Sequence, residues 1–227
     1  DKKDLILFNR KSGEMENLTE DFEKSVDEIV WSPDSKLIYF IAANEIYNSI
    51  YKLDVEEEEI EIFHKDNYNT GIQISKDGKT LYFLKQRTDL PAEIFSQSTD
   101  GKNTLKRITF TNEEILSQLE MNPVETFWCE GANGDKVQSI LVKPPFFDPN
   151  KKYPMMFLIH GGPQGAWEDN FHYRWNIQMF AGAGYVVVPP NPRGSTGYGQ
   201  KFTDEISGDW GGKVYTDLMN SYDYAIK

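Results

Sequence analysis

A chain of 227 residues with 39% apolar and 14% aromatic residues holds enough material for one large or two modest packed domains, and its composition excludes global disorder. Its net charge of −12 argues against nucleic acid as a partner, because affinity for a phosphate backbone rests on clustered Lys and Arg. No apolar run approaches the roughly 20 residues that span a bilayer, so no membrane partner is expected.

Cys129 is the only cysteine, which rules out an internal disulfide. It lies in the strand-like run Thr126-Phe-Trp-Cys-Glu130 and reads as a buried structural thiol. The chain opens at Asp1 without an initiator Met and closes at Lys227 inside a helical pattern, so a piece cut from a longer protein is expected. The compartment stays open, cytoplasmic or, with a signal peptide upstream, periplasmic or secreted, as does assembly into a homo-oligomer.

The first half contains a repeat. Trp31-Ser-Pro-Asp-Ser-Lys-Leu-Ile-Tyr-Phe40 matches Ile74-Ser-Lys-Asp-Gly-Lys-Thr-Leu-Tyr-Phe83 at an offset of 43 residues. Pro-Asp and Asp-Gly turns tolerate the backbone angles of a tight reversal, so each unit reads as strand, turn, strand and a further hairpin. A four-stranded unit near this period has the size of a propeller blade, about 40–50 residues. The reading is one blade around 27–64, another around 70–109 and the tail of a third at 4–19. The acidic run Glu56 to Glu59 reads as a solvated hairpin rather than a cation-attracting patch.

After residue 120 the pattern changes. Val124–Glu130 and Val137–Lys143 read as a hairpin through Gly131-Ala-Asn-Gly134. Met155-Met-Phe-Leu-Ile159 and Tyr185-Val-Val-Val188 are continuously apolar, as strands covered on both faces are. Between them Trp175, Met179 and Ala183 fall on one helical stripe that Gly184 ends. A last helix begins near Lys213 with Val214, Leu218, Tyr222 and Ile226 on its stripe. Alternating strand and helix predicts an α/β layer fold.

Each buried strand ends in a glycine-rich loop: His160-Gly-Gly-Pro-Gln-Gly165 and Asn191-Pro-Arg-Gly-Ser-Thr-Gly-Tyr-Gly199. Ligand sites of open parallel sheets gather at such strand ends. Adjacent glycines let the backbone aim N–H groups at a substrate, which acyl transfer needs where negative charge develops on a carbonyl oxygen. A plain turn remains the competing reading. A phosphate-binding loop would need Gly-Lys-Ser/Thr, which Gly194–Gly199 lacks. His64, His160 and His172 have no metal-binding spacing, and neither a metal nor a cofactor is expected.

These loops, with Arg174-Trp-Asn176, Gly184–Val188 and Asp209-Trp-Gly-Gly212, resemble the peptidase domain of the prolyl oligopeptidase family, in that family's order and spacing. The nearest branch is the acylaminoacyl-peptidase and dipeptidyl-peptidase V group. The resemblance implies residues 1–120 as the C-terminal blades of a β-propeller. Residues 121–227 would be the N-terminal part of an α/β-hydrolase domain. The implied activity is serine-type hydrolysis of short peptides, with an esterase on the same fold or a propeller-type binding module with a vestigial hydrolase half as alternatives.

Carried over residue by residue, the resemblance gives Gly162 the role of oxyanion-hole N–H donor, with His160 and Gly161 supporting the loop. Arg193 is expected to tie the Gly194–Gly199 loop to neighbouring backbone or carboxylates, with substrate contact as the second reading. Trp167, Trp175 and Tyr198 stand between lining the interdomain cavity, where Trp175 and Tyr198 would bind substrate, and packing in the core. Asp209 is expected to cap the last helix over a packed Trp210. The nucleophile elbow Gly-x-Ser-x-Gly occurs nowhere in the chain, and Ser195 lacks its spacing. The Ser-Asp-His triad is therefore expected beyond Lys227 and the piece itself inactive.

Overall fold

The computed structural model describes residues 2–102 and 104–227. They form two compact units, residues 2–85 with 93–102 and 104–110, and residues 86–92 with 111–227.

The first unit is all β. It begins with a short hairpin, β1 (Ile6–Phe8) against β2 (Met15–Asn17). Next come β3 (Asp27–Trp31), β4 (Leu37–Asn44), β5 (Tyr47–Asp54) and β6 (Ile60–His64), in which β4, β5 and β6 each pair antiparallel with the strand before. Then follow β7 (Tyr68–Ile74), β8 (Thr80–Arg87), β9 (Leu90–Ser98) and β10 (Lys106–Arg107). A single parallel pairing, Asn48 with Tyr68, joins the two four-stranded runs into one eight-stranded sheet.

The 43-residue repeat is a repeat of turn chemistry. The Ser32 hydroxyl donates to Asp34 Oδ1 at 2.6 Å and accepts the Leu37 N–H at 2.9 Å. The Ser75 hydroxyl donates to Asp77 Oδ1 at 2.6 Å and accepts the Thr80 N–H at 3.0 Å. The residue after each Asp needs positive φ: Ser35 takes 61° and Gly78 takes 71°. Each side chain thus satisfies backbone groups that the reversal would otherwise strand.

Leu5, Leu18, Val26, Ile38, Phe40, Tyr51 and Leu53 form the core against one face of this sheet. Phe22 sits edge-on to both Phe40 and Tyr51, at 5.4 and 5.1 Å between ring centroids. His64 lies in β6 with its ring 5.2 Å from Phe83, and its Nε2 faces Lys85 Nζ at 3.0 Å. Burial and the Lys85 charge hold His64 at about 4, so the ring is neutral and accepts from the ammonium.

The second unit mixes strands and helices. After a single helical turn, α1 (Glu113–Leu116), β11 (Glu125–Glu130) and β12 (Lys136–Leu141) form a hairpin through residues 131–135. β13 (Met155–Phe157) leads through α2 (Ile177–Gly182) to β14 (Val186–Val188), and β13 and β14 pair in parallel. β15 (Pro190–Asn191) lies antiparallel to β12, and a Val142–Val187 bridge links β12's end to β14. The chain ends in α3 (Gln200–Asp204) and α4 (Lys213–Ala225).

Two stripes read from the sequence are out of phase. In α2 the buried residues are Ile177, Gln178 and Ala181, while Met179 is 72% exposed and Trp175 precedes the helix. The Asn176 side chain starts the helix by accepting the Gln178 N–H at 2.8 Å. In α4 the buried residues are Asp217 and Ser221, and Ile226 is exposed. An ion pair and a Ser–Cys contact turn that face inward, since Ser221 Oγ lies 3.3 Å from Cys129 Sγ. Asp209 accepts the N–H groups of Gly212 and Lys213 at 2.8 and 3.1 Å, which lowers its pKa, but Trp210 is 73% exposed rather than packed beneath it.

Candidate functional site

The two glycine-rich loops leave β13 and the β14–β15 segment and are stitched together. Asn191 Oδ1 accepts the Trp167 N–H at 2.8 Å, and Asn191 Nδ2 donates to Trp167 O at 2.9 Å. The Thr196 N–H donates to Gly165 O at 3.1 Å. Tyr198 accepts from Asn191 Nδ2 at 2.9 Å, and its hydroxyl donates to Gln138 Oε1 at 2.8 Å. Tyr198 is therefore held on β12.

His160 closes the stitch. Its Nδ1 lies 3.0 Å from Gly161 O and its Nε2 lies 2.9 Å from Ser195 Oγ. Burial keeps its pKa below the ordinary imidazole value. The Ser195 hydroxyl donates to Pro192 O at 2.6 Å, and the Ser195 N–H donates to the same carbonyl at 3.0 Å. With its proton engaged there, Ser195 Oγ meets His160 Nε2 as an acceptor. Ser195 is fully buried and shielded from any reagent. Ser195→Ala removes the His160 partner and is expected to lower stability by about 1–3 kcal/mol, measured by urea unfolding; a change under a few tenths would reject the brace.

Arg193 anchors the second loop from below. It is 1% exposed, and its Nε donates to Asp217 Oδ2 at 2.7 Å, Nη1 to Glu205 at 2.6 Å and Nη2 to Ala132 O at 2.9 Å. Asp217 also accepts the Arg193 N–H at 3.0 Å and the Ala132 N–H at 2.8 Å. These contacts raise the Arg193 pKa, led by the Asp217 hydrogen bond. Gly194 beside it has φ 97°, and a Cβ there would stand 2.8 Å from Ile206 Cβ. Arg193 thus sits inside the protein with its donors engaged on neighbouring acceptors.

Gly162 is exposed at the loop crest with φ 134°. Among the described residues, none accepts its N–H. A Cβ there would stand 2.9 Å from Gln164 N and 3.0 Å from Gln164 O, so the loop has room only for glycine.

Beside the loop lies a cavity of about 360 Å³ whose wall includes His160, Gly161, Trp167, Glu168, His172 and Trp175. Trp167 is fixed by its indole N–H to Leu158 O at 2.8 Å, and Trp175 is 49% exposed. Next to Glu168, Asp169 is buried and accepts the Thr88 N–H and hydroxyl, each at 2.9 Å. Desolvation pushes the Glu168 carboxyl up to about 7. The sequence reading names neither Glu168 nor Asp217 as a site or anchor residue, and it weighs His172 only to set it aside as a metal ligand. For Asp217 the signal was there, a charge in phase with the buried side of α4. Among the described residues, no group of three or more His, Cys, Asp or Glu is placed to hold a metal ion.

Comparison with known proteins places this architecture. Residues 171–227 match the model of the prolyl oligopeptidase family. A probable dipeptidyl-peptidase 5 of Arthroderma benhamiae is 34% identical over 222 residues, covering 92% of this chain and 29% of that protein. The Pyrococcus horikoshii acylaminoacyl peptidase superposes with a TM-score of 0.82 at 23% identity, over 99% of this chain and 34% of that one. Porphyromonas gingivalis dipeptidyl peptidase 4 gives 0.72 at 18% identity, over 97% and 32%. The chain is thus related to the prolyl oligopeptidase family of peptidases. It spans about three tenths of the length of the curated relatives it matches.

Proposed function

We propose that this chain is part of a serine-type peptidase that hydrolyses short peptides through an acyl-enzyme. The observation that carries the proposal is the Gly162 N–H, unengaged at the crest of a loop that His160, Asn191 and Thr196 hold in place. A serine supplied by a part of the protein outside residues 1–227 attacks the scissile carbonyl, forming a C–O bond as its hydroxyl proton passes to the triad base. The carbonyl oxygen becomes negative and takes the Gly162 N–H. The C–N bond then breaks, and the amine leaves with a proton from the triad base. His160 and Gly161 keep the loop in shape, and Trp175 lines the adjoining cavity. The two four-stranded runs of the first unit, with their 43-residue repeat, are read as propeller blades that restrict entry to short peptides. An esterase on the same fold is the second reading, because the same donor serves an ester carbonyl.

A fluorophosphonate probe tests this. The expected result is no stoichiometric labelling of residues 1–227 alone and labelling of one serine outside them in the longer protein. Labelling at Ser195, or none in the longer protein, would sink the assignment.

A further inference from the structure

We infer that Thr88 and Gln86 are positioning residues of the candidate active site: they grip the stretch 167–171 that walls the cavity beside the Gly162 loop, and so set how a peptide substrate seats there. The effect on substrate rests on the peptidase reading above; the grip on the wall does not.

From Leu158 to Asn176 the chain forms neither helix nor strand. Such a segment has no ladder in which to pair its backbone groups, so side chains from elsewhere have to fix its course. Over residues 166–172 lining and anchoring alternate. Ala166, Glu168, Asn170 and His172 line the cavity, whereas Asp169 and Phe171 are not part of its wall. Trp167 does both, since it lines the cavity while Asn191 accepts its N–H at 2.8 Å. The next two anchors come from residues 86–92, the turn of the β8–β9 hairpin, which belong to the second unit. Asp169 Oδ1 accepts both the N–H and the hydroxyl of Thr88 at 2.9 Å. Gln86 Oε1 accepts the Phe171 N–H at 3.2 Å.

The anchor is stiff and dry. Thr88 is 1% exposed and Asp169 5%, and hydrogen bonds to a carboxylate count for more when water is excluded. Arg87 closes the turn by donating from Nε and Nη2 to the two oxygens of Asp89 at 2.8 and 3.2 Å. Leu90 and Pro91, which follow, are buried. Two strands of eight and nine residues carry this turn, so it presents Thr88 in one fixed place. The residue that Thr88 holds stands between two that line the cavity, Glu168 and Asn170. Releasing Asp169 lets that pair shift together. A misplacement of about 1 Å in a group that orients substrate can cost about 10²-fold in rate.

The test compares full-length protein with its Thr88→Val, Thr88→Ser and Gln86→Met variants. Val keeps the Thr88 N–H and the shape but lacks the hydroxyl, and Ser restores it. Backbone hydrogen exchange over residues 166–172 reads the grip directly. Turnover of a dipeptidyl reporter and of an acetyl ester, which carries only a methyl group beyond the carbonyl, reads its effect on substrate. In Thr88→Val and Gln86→Met, exchange over 166–172 should quicken while that of the Gly194–Gly199 loop stays the same. Their kcat/KM on the dipeptidyl reporter should fall about 10–100-fold, mostly through KM, and on the ester less than about threefold. Thr88→Ser should match the parent on both substrates. Unchanged exchange over 166–172 would overturn the grip. Faster exchange with equal losses on both substrates, or with none, would overturn the positioning role and leave the peptidase reading standing. A Ser variant as poor as the Val variant would trace the effect to the methyl group and overturn the part given to the hydroxyl. Should Thr88→Val not fold, Gln86→Met decides by the same readouts, because it leaves the Asp169 bonds in place. No turnover and no fluorophosphonate labelling of the unaltered protein would remove the peptidase reading and the role in seating substrate with it.

Discussion

Replacing Arg193 with Met is expected to cost the second unit about 3–5 kcal/mol, measured by urea unfolding. That is the usual price of leaving one member of a buried ion pair without its partner. The substitution strips Asp217, itself fully buried, of its Nε and Nη2 donors. The Arg193 and Ala132 backbone N–H groups still need an acceptor. Mutating Asp217 as well therefore cannot restore stability as it could for an isolated pair. Arg193→Lys should also fail to rescue, because a point charge cannot reach Asp217, Glu205 and Ala132 O together. A loss below about 1 kcal/mol would mean that the network is solvated and the buried-brace account wrong.

The second large effect is expected at Gly162. In the full-length protein, Gly162→Ala should lower kcat by about 10²–10³, the usual effect of losing one oxyanion donor. The cause is displacement rather than deletion of the N–H. A Cβ would stand within 3.0 Å of the Gln164 backbone, and backbone cannot swing aside as the end of a long side chain can. The φ of 134° lies where L-residues are strained, so the loop would change course. Stability should change far less than kcat, because Gly162 is exposed. A kcat within threefold of the parent would falsify the donor role.

Much of the local structure was legible in the sequence because it is written in short-range chemistry. The Ser-x-Asp turns announced themselves, since the side chains that make the reversal lie within five residues of the groups they satisfy. The β11–β12 hairpin was readable for the same reason. Helix phase was not. Hydrophobicity alone put Met179 and Ile226 inward, whereas the buried side of α4 is set by Asp217 and Ser221, whose partners Arg193 and Cys129 are distant in sequence. The loop that carries Gly162 was visible from its glycines. Glu168 was not, because an acid between Trp167 and Asp169 carries no pattern, and only the cavity singles it out.

Asp217 has a consequence for how the unit assembles. One carboxylate collects the Ala132 N–H of the 131–135 turn and, from the 191–199 loop, both the N–H and the guanidinium of Arg193, and it rides on α4. None of the three can settle until that helix is docked, because each would otherwise leave a buried donor without an acceptor. The 191–199 loop is thus ordered by α4 rather than by the strands that deliver it. During synthesis, the glycine-rich segment emerges well before the side chain that holds it, and it acquires its working shape only after Asp217 arrives.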